Sequence, residues 1–236
     1  MKTFKKSIFF LVIALMTLHL SCSGDDDGAS VTRIGFFPKT ISTTTTSGTV
    51  MIEFSYDTNS RMVSFETSDS GVSFEYNDQG LISVVTANDG TESFEVEYSD
   101  GIMTQISESN SGDITSVSYF DGTYEFMGTS RSFNEDNQLT SFGGSDAIEY
   151  NTEPGPFKEL DFQPMLFFLG GSSVVRQSYF FSKNEINSFS IPLGGLLQCT
   201  SQRDDNDNIE LVIASDVNVQ EVYRFEISYE EREIIN

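Results

Sequence analysis

Histidine is all but missing: the 236 residues hold one, His19, and it lies in an N-terminal segment expected to be removed. A mature chain without histidine cannot run a Ser-His-Asp or Cys-His mechanism, and it cannot build the common His-ligated zinc or iron sites. Tryptophan is absent, and cysteine occurs only as Cys22 and Cys199. Basic residues are scarce as well, 13 Lys plus Arg against 36 Asp plus Glu, for a net charge of −23. Three of the 13 (Lys2, Lys5, Lys6) fall within the first 21 residues, so the remainder is more acidic still. Nucleic acid is thereby excluded as a partner, because its affinity comes largely from cationic contacts to phosphate. Electrostatic docking on anionic lipid is excluded for the same reason.

What is present begins with a leader. Met1 to Lys6 is basic, and Ile8 to Leu20 is apolar apart from Thr17 and His19. As a helix that run spans roughly 20 Å, short of the ~30 Å bilayer core, so it is a signal h-region and not a membrane span. It ends in Leu20-Ser21-Cys22, followed by Ser23, Gly24, Asp25, Asp26 and Asp27. A small residue directly before a cysteine at the end of an h-region resembles the lipobox of bacterial lipoproteins. The resemblance implies cleavage between Ser21 and Cys22 and acylation of Cys22. Two acyl chains hold a protein stably on a membrane where one holds it only marginally. The run Ser23–Asp27 resembles the acidic export tag of lipoproteins displayed on the outer face of the outer membrane. The expected organisation is a signal peptide over 1–21, a lipidated cysteine with an acidic and Thr-rich tether over 22–47, and one β domain over 48–236.

From about residue 48 apolar and polar residues alternate at period two. Tyr223, Phe225, Ile227 and Tyr229 interleave with Arg224, Glu226 and Ser228; Val72, Phe74 and Tyr76 and then Phe94, Val96 and Tyr98 behave likewise. Such alternation specifies half-buried antiparallel strands. The turns repeat too. Tyr56-Asp57-Thr58-Asn59-Ser60-Arg61-Met62 aligns with Phe133-Asn134-Glu135-Asp136-Asn137-Gln138-Leu139, with Tyr76-Asn77-Asp78-Gln79-Gly80-Leu81-Ile82, and with the stretch from Arg203 to Ile209. Shorter variants stand at Tyr98–Ile102, Tyr119–Gly122 and Phe181–Ile186. An aromatic ends one strand, Asp or Asn starts the turn through local bonds, and Gly or Asn accepts the left-handed position.

This frame resembles the YD repeats of RHS-type proteins. It is similar, more closely, to bacterial lipoprotein domains of unknown function described as having a porin-like fold, whose mid-domain Asn-Pro-Phe-Lys-type segment has its counterpart in Glu153 to Leu160. The predicted fold is all-β, a long antiparallel meander of hairpins curled into a barrel or half-barrel, which covers the apolar face and removes sheet edges. The apolar stretch 156–169, from Pro156 to Leu169, predicts a short helical cap or plug, split by Pro164. A transmembrane barrel is disfavoured: strands of 6–8 residues are shorter than the ~9–11 needed to span, and the chain ends in Glu233-Ile234-Ile235-Asn236 instead of an aromatic.

Candidate chemistry is thin. Asp204, Asn206 and Asn208 have the spacing of a calcium loop's first three ligands, but Ile209 replaces the required Gly and Ser215 the closing Glu, so an EF-hand is excluded. The acidic turns allow a loosely held calcium ion and no other cofactor. Glu75, Glu95, Glu97 and Glu226 are expected on polar strand faces, Cys199 as a core thiol. No catalytic or metal residue is assigned. The expectation is a lipid-anchored outer-membrane protein at the cell surface, non-enzymatic, contacting a glycan or another envelope protein. The alternatives are an apolar-ligand carrier using the barrel interior and a hydrolase built on paired carboxylates.

Overall fold

A computed structural model describes residues 32–87, 90–143, 146–161, 163–167, 181–191 and 195–235. The signal, Cys22 and the acidic run Ser23–Asp27 lie outside them. Within Ile34–Ile234, which forms one compact unit, strand follows strand. The first seven are β1 Thr32–Thr45, β2 Gly48–Tyr56, β3 Met62–Glu66, β4 Gly71–Tyr76, β5 Ile82–Ala87, β6 Glu92–Ser99 and β7 Ile102–Glu108. Next come β8 Ile114–Ser116, β9 Ser118–Phe120, β10 Thr123–Phe126, β11 Thr129–Phe133 and β12 Leu139–Phe142. The last five are β13 Asp146–Pro154, β14 Asn184–Ile191, β15 Gly195–Arg203, β16 Ile209–Ser215 and β17 Glu221–Ile235.

Successive strands pair antiparallel, except that β8 runs on through Val117 into β9, and β17 also pairs with β1. The meander thus curls into a nearly closed barrel, the more complete of the two forms, barrel or half-barrel, expected for covering the apolar face. Its least regular point is Val117 between β8 and β9, where the Val117 amide still reaches the Thr104 carbonyl at 2.8 Å. Strand structure begins at Thr32, inside the stretch 22–47 expected as tether. The Thr-rich run is there because Thr43 and Thr44 pair with Val50 and Thr49 of β2, and β-branched residues suit a pleated surface.

The pleat sorts the side chains. Ile52, Phe54, Phe65, Phe74, Val85 and Val96 point inward and are buried. Their neighbours Glu53, Glu66, Glu75, Glu95 and Glu97 stand on the outer face, exposed. A membrane-spanning barrel carries the opposite pattern, an apolar band outward. Glu75 and Glu95 are not adjacent, since Val84 of β5 lies between them, and Glu226 faces Leu211.

The helical cap expected over 156–169 is not there among the described residues. Turns at 156–159 and one 3-10 turn, Pro164–Phe167, take its place. The segment's own bonds are those of tight turns, the Leu160 amide reaching Phe157 O at 3.0 Å and that of Leu166 reaching Gln163 O at 3.1 Å, and Pro164 between them has no amide to give a helix. The segment is tied to the chain entering β14 by the Gly155 amide, which donates to the Lys183 carbonyl at 2.6 Å, and by that of Phe157, which donates to Ser182 at 3.0 Å. A methyl group on Gly155 would collide with the backbone carbonyls of Ser182 and Asn184, so only glycine fits this crossing. Phe181–Ile186, expected as a short hairpin, is that same entry into β14 and not a turn. The plug expectation survives in another form. Phe157, Leu160, Met165, Leu166 and Phe181 are all buried in the core, and Phe157 and Phe181 meet edge to face at 5.1 Å and both touch the Phe54 ring.

Candidate functional site

Because the strands alternate in direction, the turns fall at two ends. One end collects the turns after β2, β4, β6, β9, β11 and β15 and the connection from β13 to β14; β1 starts there and β17 finishes there. We call it the tyrosine end. Its five-residue turns share one geometry. Asp57 Oδ1 accepts the amides of Asn59 and Arg61, both at 2.9 Å, and Asn77, Asn134 and Asp204 do the same for their own turns. Each has its fourth residue in the left-handed region: Ser60, Gly80, Asn137 and Asp207. Asp100-Gly101 and Asp121-Gly122 make two-residue turns with both residues at positive φ, the geometry that suits a twisted hairpin.

The tyrosines of the repeat do more than end a strand. Every five-residue turn here is followed by a register shift in its hairpin, as at Tyr56/Met62, and a bulge of this kind disrupts the local ladder. The next tyrosine reaches the carbonyl of the residue that opens the preceding return strand: Tyr76 Oη donates to Met62 O at 2.6 Å, Tyr98 to Ile82 at 2.8 Å, Tyr150 to Leu139 at 2.7 Å and Tyr229 to Ile209 at 2.9 Å. Tyr56 Oη donates instead to a carbonyl inside β1, Pro38 O, at 2.7 Å. Burial raises the hydroxyl of Tyr76, pushing its pKa up to about 12, and those of Tyr98, Tyr150 and Tyr229 higher still. These hydroxyls stay protonated donors.

The carboxylates are spent in the same way. Burial alone would raise Asp57, but the Arg61 amide and guanidinium and the Asn59 amide outweigh it and hold the group below the usual carboxylate range. Burial is likewise overcome at Asp204 by the Asn208 and Asn206 groups. Asp204 Oδ1 takes two amides and Oδ2 the Asn208 side chain at 3.2 Å, so the residues singled out for calcium-like spacing form a closed local turn. Among the described residues no three acidic, Cys or His groups are placed to hold a metal.

One polar hook locks the plug to this end and a second fixes the start of β14. Gln163 Nε2 donates to Gly80 O and its Oε1 accepts the Ile82 amide, both at 2.7 Å. Gln138 grips the Asn184 amide and side chain at 3.0 and 2.8 Å. Arg203, which stands where the repeat has an aromatic, binds Pro154 O at 2.9 Å and Glu185 at 3.1 Å instead. Cys199 is half-buried opposite Ala214. Burial first, then the Glu185 charge, pushes its thiol up to about 12, so it is no nucleophile at neutral pH.

On the outer face the one facing pair of acids that the register creates in the β2–β6 sheet is Glu53 opposite Glu66. They border a hollow of about 310 Å³ shared with Lys39, Tyr56, Glu230 and Arg232. Arg232 is paired with Glu230 at 2.8 Å and lies over the Tyr56 ring at 5.5 Å. The hollow gathers carboxylates, an ammonium and a guanidinium on an open wall, a set with both donors and acceptors to offer a polar ligand. A second hollow of about 330 Å³ lies beside it, around Asp69, Ser70 and Gly71.

At the opposite end the turns vary. Thr67–Ser70 is a turn closed by the Thr67 hydroxyl, Met127-Gly128 a two-residue turn, and Asp216–Gln220 a fifth copy of the five-residue frame. That fifth copy, missed by reading the sequence, has Asp216 Oδ1 accepting from Asn218 and Gln220, each at 2.9 Å.

No family model and no curated protein matches the chain. Among solved structures it is similar to a porin-like protein from Bacteroides uniformis ATCC 8492, at 11% identity and a TM-score of 0.38, covering 85% of this chain and 98% of that one. It is similar also to a porin-like protein from Bacteroides vulgatus ATCC 8482, at 9% identity and a TM-score of 0.42, covering 83% and 99%.

Proposed function

We propose that the mature chain is a lipid-anchored outer-membrane lipoprotein, displayed at the cell surface, whose filled barrel is a non-enzymatic binding or structural module. The observation that carries this is the polarity of the barrel: apolar and aromatic side chains fill the inside while Glu53, Glu66, Glu75, Glu95 and Glu97 stand exposed along the outside of β2–β6. Such a wall cannot sit in lipid, so residence at a membrane has to come from elsewhere. The Leu20-Ser21-Cys22 end of the leader supplies the means, and the acidic run Asp25–Asp27 the export to the surface. The mixed-charge hollow around Glu53 and Arg232 is where a glycan or another polar envelope component would bind.

The test is fractionation of cells making the full chain or its Cys22→Ser variant. The wild type is expected to stay with membranes through a carbonate wash and to be cut by protease added to intact cells, while Cys22→Ser appears in the soluble fraction. A Cys22→Ser chain that remains membrane-bound defeats the anchor, and full protease protection until lysis defeats surface display. The carrier alternative gains no support from the interior, where Phe157, Leu160, Met165 and Phe181 occupy the space a ligand would need.

A further inference from the structure

The hollow beside Tyr56 leaves three charges unspent, and they sit on neighbouring strands. Thr40 of β1 pairs with Glu53 of β2, which puts Lys39 one residue from that pair, and Glu53 in turn faces Glu66 of β3. Among the described residues Lys39, Glu53 and Glu66 form no ion pair and no side-chain hydrogen bond, with one another or with any neighbour. The charges around them are taken: Arg232 holds Glu230 at 2.8 Å, and Arg61 holds Asp57 at 2.6 Å. One ammonium and two carboxylates thus line a space of about 310 Å³ without neutralising each other. That volume is at the small end of the range for ligand pockets.

The backbone keeps the two carboxylates apart. Glu66 pairs with Gly71 of β4 on its other side, and a methyl group on Gly71 would stand 3.1 Å from Glu66 Cγ. The Glu66 side chain therefore leans over the glycine and away from Glu53. Like charges that face each other repel, and a protonated amine entering the gap would bind both. A bare metal ion fits poorly, since calcium takes about 6–8 oxygens, no third acid stands with these two, and Lys39 repels a cation that brings no anion. An acid by itself meets two carboxylates for one ammonium. A ligand with both charges satisfies all three groups: its amine goes between Glu53 and Glu66 and its acid to Lys39, each through charge-assisted hydrogen bonds. A peptide strand finds no edge to join, because β2 to β5 are paired on both sides.

We infer that the Lys39–Glu53–Glu66 hollow binds a ligand that carries a protonated amine and an acid group together; a sugar as the carrier of those charges rests on the glycan site proposed above. The experiment titrates the purified full chain by NMR with four sugars that separate the charges: muramic acid (amine and acid), glucosamine (amine), N-acetylmuramic acid (acid) and N-acetylglucosamine (neither). A fifth probe, 4-aminobutyrate, has both charges and no sugar. Muramic acid is expected to bind about tenfold or more tighter than the other three sugars. Glu53→Gln/Glu66→Gln should reduce it to the level of N-acetylmuramic acid, and Lys39→Met to that of glucosamine. Glu95→Gln/Glu97→Gln removes the same charge elsewhere on the outer wall and should leave it within about twofold, as expected for charges beyond a screening length. All five positions are exposed, and unchanged melting shows that each variant is folded. Glucosamine binding as tightly as muramic acid, a Lys39→Met chain that binds muramic acid like wild type, or no binding of either two-charge probe overturns the inference. If 4-aminobutyrate matches muramic acid, the two-charge site stands and the glycan reading falls.

Discussion

The two ends of the barrel are made from the same hairpins and differ in what holds them. At the tyrosine end, four Asp or Asn turns share one hydrogen-bond pattern, a set of buried hydroxyls caps the carbonyls at the return strands, Gln163 bolts the plug in place and Gln138 fixes the start of β14. At the other end only Asp216–Gln220 keeps that pattern, and the described turns otherwise differ one from another. Repetition at one end is thus a structural code that fixes register, because a one-residue slip would turn every inward side chain outward.

The sharpest way to break that contrast is to cut into each end and compare. Phe157→Ala removes a fully buried ring from the plug beneath the tyrosine end and is expected to cost about 3–5 kcal/mol. Val217→Ser at the opposite tip is expected to stay within about 0.5 kcal/mol. Urea unfolding of both variants measures the difference; equal losses would mean that the barrel is held evenly from end to end.

A smaller cut separates the hydroxyl from its ring. Tyr150→Phe keeps the packing but leaves Leu139 O, at the bulged start of β12, without its 2.7 Å donor, for an expected loss of about 1–3 kcal/mol. Replacing Tyr119, which is 43% exposed, by Phe tests the same chemistry where water can substitute, and little change is expected. A Tyr150→Phe chain as stable as wild type would reduce the tyrosine code to ring packing.

Much of this was readable beforehand, and the misses share a cause. The strands and the Asp- or Asn-led turns follow from residues close in sequence, as at Tyr56–Met62, whereas the choice between barrel and half-barrel is made by the pairing of β17 with β1. The hydroxyl bonds do not, because each joins one repeat to the return strand of another, and the bulge that frees Met62 O is invisible until the strands are paired. Over 156–169 the expected helix gives way to tight turns on either side of Pro164, closed by the Leu160 amide on Phe157 and the Leu166 amide on Gln163, and the bonds that hold the segment run to the distant Ser182 and Lys183. The Glu53–Glu66 pair depends on that register too. The fifth turn was hidden by composition: valines at 217 and 219 mask a frame that Asp216, Asn218 and Gln220 still spell.

Acid tests the carboxylate part of the code at both ends together. Asp57, Asp204 and Asp216 are all held below the usual carboxylate range, Asp216 through the Gln220 amide first. A carboxylate with a lowered folded pKa contributes stability that is complete above its unfolded value and fades as pH falls through the folded one. Melting temperature is therefore expected to hold down to about pH 5 and to decline below about pH 4. Asp57→Asn, which keeps an acceptor for the two amides but loses the Arg61 ion pair at 2.6 Å, should flatten part of that decline. An unchanged slope would show that other acids set it.

The smallest effect isolates the left-handed position itself. Ser60 and Val219 share nearly the same φ, 61° and 64°, in turns with the same bonds, one at each end. Glycine removes the left-handed penalty of roughly 1–2 kcal/mol but costs about 0.5–1 kcal/mol in unfolded-chain entropy. Ser60→Gly should therefore gain only about 0.5 kcal/mol or less, because a small polar side chain tolerates this bend and Gly80 shows the sister turn accepting glycine. Val219→Gly should gain more, since its two γ-carbons crowd the backbone where serine has a single oxygen. Paired thermal melts resolve this as an order rather than a size. If Ser60→Gly stabilises as much as Val219→Gly, valine is no worse at its tip than serine.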